Sequence, residues 1–257
     1  MTILDTILEE KAKEVADLKE TYTPGAYQAQ YEKRSLYDTF MKSERMNIIA
    51  EIKRASPSKG MINEGVDPAK QGKQYEEYGA GTISVLTDQP FFKGTMDDLQ
   101  EVREVVKLPI LNKDFIIDEI QIDRAKDFGA SVILLIAAAL PKERLAELFE
   151  YATKLDLEVL FEVHNEGEMQ VANEIGAQII GVNNRNLKTF EVDLGITERL
   201  AGMVDTNKKL LISESGFRTT EDVERIKKAG VRGILVGETM MRSSNLKQTF
   251  DELRVEL

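Results

Sequence analysis

Apolar positions in the first 20 residues recur at helical spacing. Ile3, Leu4, Ile7, Leu8, Val15 and Leu18 are separated by Lys and Glu, the single stripe of an amphipathic helix over 2–20. Thr23-Pro24-Gly25 breaks it, and a second short helix is predicted over 35–42. No strand pattern occurs in the first 45 residues, which read as a helical extension packed on the rest of the chain.

From Ile48 the period changes. Short apolar runs predict strands over 48–53, 82–86, 109–113, 131–136, 158–163, 178–183, 210–214 and 233–237. Helix-period segments lie near 68–79, 95–107, 118–128, 141–154, 166–175, 194–202 and 219–229, with a last one ending near Val255. Pro68 and Pro141 stand where a first helical turn tolerates proline, and Thr219 with Asp222 has the spacing of a capping box. Gly79, Gly129, Gly176 and Gly230 each close a helix and open a strand about every 50 residues, two strand–helix units per step. Strands joined by helical crossovers are parallel. Eight such units predict an α/β fold, a (β/α)8 TIM barrel over 46–257 with the helical extension over 1–45, all one domain of 257 residues. An open doubly wound sheet has the same element order, but the chain lacks a GxGxxG phosphate loop.

Composition narrows the chemistry. A hydrophobic fraction of 42% suits a chain with a sizeable core. With no cysteine, disulfides and thiolate nucleophiles are excluded, and the one histidine, His164, rules out a multi-histidine metal site. The net charge of −11 argues against nucleic acid as a partner. Neither a membrane-length apolar run nor a basic-then-apolar leader is found, so a cytoplasmic chain is expected.

Catalytic groups of such barrels sit at the carboxyl ends of the strands. The first strand carries Glu51 and Lys53 on one face and runs into a loop containing Ser56. Buried charges cost several kcal/mol each unless paired or facing a wet cavity. Further ends deliver Lys113, Glu162, Asn183 with Arg185, Glu214 with Ser215 and Gly216, and Gly237 with Glu238. Six of eight strands thus bring polar groups to one rim, which favours a site over a set of structural ion pairs. Lys53, Lys113 and Arg185 on an acidic chain suit an anionic small molecule. Gly216 and Gly237, on adjacent strands, suit a phosphate, although each alone reads equally as a turn residue. Phe92, Phe115, Leu134 and Leu187 are placed to wall an apolar part of the ligand or to pack the core. His164 is expected to turn away from the barrel interior and to take no catalytic part.

The phrases IIAEIKRASPSKG, LNKDFIID, LFEVH, GVNNRNLKTFEVD, ISESG and VGETMM, in this order and spacing, resemble the indole-3-glycerol phosphate synthases of tryptophan biosynthesis. The resemblance spans essentially the whole chain, including its helical extension. It implies closure of 1-(2-carboxyphenylamino)-1-deoxyribulose 5-phosphate to indole-3-glycerol phosphate with loss of carbon dioxide and water, without metal or organic cofactor. By the same resemblance Lys113 is the general acid, Glu162 takes part in later proton transfers, and Lys53, paired with and tuned by Glu51, holds the substrate carboxylate and is a second candidate proton donor. Asn183 and Arg185 orient hydroxyl and anionic groups, Glu214 and Ser215 line the mouth, and Gly216, Gly237 and Glu238 match the phosphate stretch. Glu238 stands where some relatives have serine, so its side chain is expected to point away from the phosphate. The pKa of Lys113 is expected to be lowered by burial and by Lys53. The implied partner is an anionic phosphorylated small-molecule substrate; neither nucleic acid nor membrane is expected as a partner, and the chain is expected to be a monomer or weak homodimer. Other readings stay open: a Schiff-base lyase using Lys113 or Lys53, an isomerase such as phosphoribosylanthranilate isomerase, and a barrel that binds an anionic ligand or a partner protein without turnover.

Overall fold

The computed structural model describes residues 2–29 and 31–257. Eight strands form a closed parallel barrel: β1 (Asn47–Ile52), β2 (Thr82–Leu86), β3 (Ile110–Lys113), β4 (Val132–Ile136), β5 (Glu158–Val163), β6 (Ile179–Asn183), β7 (Leu210–Glu214) and β8 (Gly233–Val236). Each pairs with its sequence neighbours, and β1 closes the ring by pairing through Ala50 with Ile83 of β2 and Val236 of β8. The expected strands are all present, and the four repeated glycines that end helices all have left-handed backbone. Thr219 caps its helix by accepting from the Asp222 backbone N–H, and Asp222 reciprocates. Among the described residues no helix is long and apolar enough to cross a membrane.

Period two divides each strand between two apolar layers. Ile83, Ile133, Leu135, Phe161, Ile180 and Val182 face outward into the layer shared with Leu99, Leu148 and other helix residues. Ile49, Leu111, Leu134, Leu160, Ile179, Leu210 and Ile212 fill the barrel itself. The inner rows continue in sequence to Glu51, Lys113, Glu162, Asn183 and Glu214. A strand that is apolar at its amino end and charged at its carboxyl end therefore makes a dry floor below a polar mouth.

Elements too short for a periodic signal appear only in three dimensions. Ala55–Ser56 pairs antiparallel with Gly60–Met61 in the loop after β1, and single helical turns occupy Gln89–Phe92 and Glu238–Arg242.

The two extension helices close opposite ends of the barrel. Helix α2 (Leu36–Met41) lies at the amino end of the strands, with Leu36 and Phe40 fully buried in the inner core. The Glu158 carboxylate, at the start of β5, accepts from Ser35 Oγ at 2.5 Å and Leu36 N at 2.6 Å, so the barrel itself satisfies that helix end. Helix α1 (Ile3–Thr21) lies at the other end and carries the predicted stripe, with one addition. Lys11 occupies an apolar-stripe position and is 1% exposed. Its Nζ lies 3.1 Å from Asp88, beyond β2, and 2.8 Å from Asp114, beyond β3. Asp114 also accepts from the Thr87 hydroxyl at 2.5 Å. Burial opposes the charge of Lys11, but Asp114, Asp88 and Glu14 outweigh it and hold the ammonium well above its ordinary pKa. Removing one partner of a buried ion group leaves the others uncompensated. Lys11→Met is therefore expected to destabilise the protein by about 3–5 kcal/mol in urea denaturation, whereas Lys13→Met, at an exposed pair, leaves the midpoint nearly unchanged.

Candidate active site

A cavity of about 940 Å³ opens at the carboxyl ends of the strands, with Ile3, Leu4 and Ile7 of α1 forming part of its wall. Every candidate residue named from the sequence borders it, from Glu51, Lys53 and Ser56 to Gly237 and Glu238. Two charged groups occupy its floor.

The first is the β1 pair. Lys53 Nζ donates to Glu51 Oε1 at 2.5 Å, the contact that period two predicts for neighbours on one face. Gly237 makes this pair fit: a Cβ there would collide with Glu51 Oε1 and lie 2.9 Å from Lys53 Nζ.

The second joins three strands. Lys113 Nζ, at the end of β3, lies 2.9 Å from Glu162 Oε2 of β5 and 3.1 Å from Glu214 Oε2 of β7. The expected lowering of the Lys113 pKa is not what this arrangement produces. Burial does oppose its charge, but Glu162, Glu214 and Glu51 outweigh burial, and the ammonium is held far above its usual range. Lys53 faces Glu51 instead of repelling Lys113.

The two carboxylates are not equivalent. Burial opposes ionisation of Glu162, but Lys113 and His164 reverse that and push its pKa well below the usual range. Glu162 also accepts from Asn183 Nδ2 at 3.2 Å. Glu214 is pushed up to about 7 by burial and by the charge of Glu162, with Lys113 only partly compensating. Its Oε1 has no hydrogen-bond partner among the described residues and points at Gly181, where a Cβ would collide with it.

The remaining residues frame this floor. Asn183 Oδ1 accepts from Ser215 Oγ at 3.1 Å and from Arg185 N at 3.0 Å. The Arg185 guanidinium donates to Phe190 O at 3.1 Å. Ser215 and Gly216 both adopt left-handed backbone, with φ of 71° and 103°. Asn184, fully buried, holds that turn by donating to Glu214 O and Ser215 O at 3.1 Å. Phe92 and Phe115 form an aromatic pair with centroids 6.0 Å apart, and Leu134 and Leu187 border the same cavity. Ser56 Oγ lies 3.4 Å from Ser58 Oγ. Glu238 Oε1 is 3.5 Å from Lys59 Nζ and 3.4 Å from Arg242 Nε, so two cations neutralise its side chain.

His164 does not turn away. Two residues beyond Glu162 on an extended chain, it keeps the same face, and its Nε2 lies 3.3 Å from Glu162 Oε1. Sequence reasoning also passed over Lys11, Asp114 and Asn184. A lysine on the apolar stripe of α1 is a readable signal for the first. Nothing local marks the other two, whose partners come from distant elements.

The chain matches the family model described as indole-3-glycerol phosphate synthase over residues 4–253. It is 53% identical over 256 residues to the indole-3-glycerol phosphate synthase of Bacillus cereus (strain ATCC 10987 / NRS 248), covering 100% of this chain and 99% of the relative. The proteins of that name from Bacillus thuringiensis subsp. konkukian and Bacillus anthracis match at the same identity and coverage. Among solved structures, a thiamine phosphate pyrophosphorylase from Pyrococcus furiosus superposes with a TM-score of 0.60 at 17% identity, over 85% of this chain and 96% of that one. An N-acetylmannosamine-6-phosphate 2-epimerase from Clostridium perfringens does so with 0.61 at 16%, over 84% and 94%. These two likenesses speak for the barrel alone. With family match, full-length relatives and barrel in agreement, the chain belongs to the indole-3-glycerol phosphate synthase family, carboxy-lyases of tryptophan biosynthesis that act on a phosphorylated small molecule.

Proposed function

We propose a division of labour for closure of 1-(2-carboxyphenylamino)-1-deoxyribulose 5-phosphate to indole-3-glycerol phosphate, carbon dioxide and water. Lys113 donates a proton to the ribulose carbonyl oxygen while the ring carbon that bears the carboxylate attacks the carbonyl carbon. The observation that carries this reading is the Lys113 ammonium, held 2.9 and 3.1 Å from two carboxylates on the floor of the cavity. Carbon dioxide then leaves and the ring regains aromaticity. The hydroxyl departs as water with a second proton, donated by Lys53 once the carboxylate it held has left, and Glu162, anionic, removes one from the intermediate. Two protons enter and one leaves, which matches conversion of a carboxylate to neutral carbon dioxide.

Lys53, paired with Glu51, binds the substrate carboxylate. Asn183, Ser215 and Arg185 orient hydroxyl and anionic groups, and Ser56 and Glu214 border them. Phe92, Phe115, Leu134 and Leu187 hold the aromatic ring. Backbone N–H groups at Gly216, Gly237 and Glu238 receive the phosphate, with the Glu238 side chain taken up by Lys59 and Arg242. The reading includes a single domain with residues 1–45 as its extension and 46–257 as the barrel. It also includes a cytoplasmic chain that works without metal or organic cofactor as a monomer or weak homodimer. The absence of cysteine and the single histidine support metal independence. Large exposed apolar side chains among the described residues are few and spread from Tyr27 to Leu257, which supports the modest tendency to associate.

The test is steady-state turnover followed by the rise of indole fluorescence in buffer containing a chelator. Lys113→Ala is expected to lose about 10²–10⁴-fold in kcat; full turnover in that variant removes Lys113 from the role. Substrate binding to the wild-type chain without turnover returns the site to a non-catalytic anion binder. Glu214 titrates at about 7 beside Lys113, and its ionised form holds the ammonium more tightly and makes it a weaker acid. Accordingly kcat is expected to fall as pH rises past that value, and Glu214→Gln to flatten the limb. Gly237→Ala displaces the Glu51–Lys53 pair, and is expected to raise KM by about tenfold, ~1.4 kcal/mol, with the unfolding midpoint little changed.

A further inference from the structure

Glu162 and Glu214 contact the same ammonium, yet the proposed chemistry needs one of them to be reliably anionic. We infer that His164, seated on Glu168, is the positioning residue that makes Glu162 the anionic partner of Lys113 and leaves Glu214 to carry the proton. This rests on the proposed role of Glu162 as the base of the reaction.

The asymmetry is geometric. Among the described residues Glu214 has one cationic neighbour within salt-bridge distance, Lys113 at 3.1 Å, and its Oε1 has no hydrogen-bond partner. Glu162 has Lys113 at 2.9 Å, the Asn183 amide at 3.2 Å, and His164 Nε2 at 3.3 Å. The last contact is one of charge, since Nε2 lacks hydrogen-bond alignment. The imidazole is fixed from behind. His164 Nδ1 lies 3.1 Å from Glu168 Oε2, and the same oxygen accepts from His164 N at 2.7 Å. Glu168 Oε1 is held by Asn165 Nδ2 at 2.6 Å, and Asn165 caps the helix Glu166–Ile175. The side chain of His164 is 12% exposed and Glu168 itself 18%, so solvent screens this row little. The turn Ala137–Ala139 packs on the same helix and brings no titratable side chain.

A histidine between two carboxylates is favoured in its charged form. Burial opposes that charge, yet Glu162 and Glu168 raise the pKa of His164 to about 10. With the folded value raised, the stabilisation is fully present below the ordinary histidine range near 6.5 and is lost as pH rises through about 10. Through neutral pH the row Glu168–His164–Glu162–Lys113 therefore alternates in sign, and Glu214 is the carboxylate left with a shared cation. Protonating Glu214 relieves the row at no cost to Glu162.

His164 is the only histidine in the chain, so its titration is directly visible as one imidazole signal in 15N-histidine-labelled protein. In the wild type both ring nitrogens are expected to stay protonated beyond about pH 8, and Glu162→Gln or Glu168→Gln to lower the midpoint by about one unit or more. A wild-type midpoint near the ordinary histidine value, or one that Glu162→Gln does not move, overturns the inference. In turnover, His164→Gln keeps a donor but not the charge. Without the imidazolium, Glu162 takes up a proton nearer the ordinary carboxylate range, so kcat is expected to gain a limb that falls below about pH 4–5, absent in the wild type, with KM changed less than about threefold. A merely structural histidine would move the unfolding midpoint and bring no such limb, and this outcome also overturns the inference. Glu168→Gln, which leaves the inner contact intact, is expected to bring the same limb at a lower pH. Should Glu162→Gln keep full turnover, the role of Glu162 in the reaction falls, while the imidazole titration still decides whether His164 and Glu162 are coupled.

Discussion

A lysine ammonium shared by two buried carboxylates is the constraint around which the mouth of this barrel is arranged. Lys113, Glu162 and Glu214 come from three strands, and each charge would cost several kcal/mol to bury alone. Lys113 stabilises both carboxylates but cannot neutralise both. The surroundings resolve the excess in different ways on the two sides. Glu162 gains an amide donor and an imidazolium, whereas Glu214 takes up a proton near neutral pH. Glu51 and Lys53 form a separate neutral pair beneath Gly237. The floor is thus close to neutral before substrate arrives, although the chain as a whole carries −11. Lys59, Arg185, Arg218 and Arg242 border the same cavity, which gives an anionic ligand a cationic rim above that floor.

The helical extension belongs to this arrangement physically. Its second helix seals the amino end with Phe40, against which Gly81 and Gly233 pack closely. Its first helix contributes apolar wall to the cavity and pins itself to the rim through Lys11. Asp114, which receives Lys11, is the residue after Lys113. The ion group that docks α1 therefore adjoins, along the chain, the ion group on the cavity floor. Asp114 is held ionised despite burial because Lys11 and Thr87 supply the donors it needs. Docking of the helix and placement of the Lys113 backbone share one hydrogen-bonded network, which reaches Asn112 through Thr87.

Much of this was legible in the chain. Short continuous apolar runs place every barrel strand, since a strand buried on both faces must be apolar at nearly every position. The breaks in that rule, at Glu51, Lys53, Lys113, Glu162 and Glu214, identify the rim, because charge in an otherwise apolar strand has few inexpensive explanations. The hairpin in the loop after β1 escaped because two-residue strands have no period. His164 was misjudged for a different reason: counting along β5 puts it on the face of Glu162, and period two was sufficient to say so. Lys11 was visible as an oddity in the stripe of α1, but its partners were not.

Residue type and spacing are local, and from them the sequence by itself determined the barrel, its helical extension, the end that opens into the polar cavity and the set of residues gathered there. Ionisation is set by distances between groups far apart in the chain, and only the closed barrel decided those. Closure put Lys113 between Glu162 and Glu214 rather than beside Lys53, and so turned an expected fall in its pKa into a rise. It also set His164 against Glu162 and left one oxygen of Glu214 without a partner among the described residues, making two chemically identical side chains unequal. The physical reason is that burial penalises every charge alike, while the compensation each receives depends on which strands the closed barrel brings within a few ångströms.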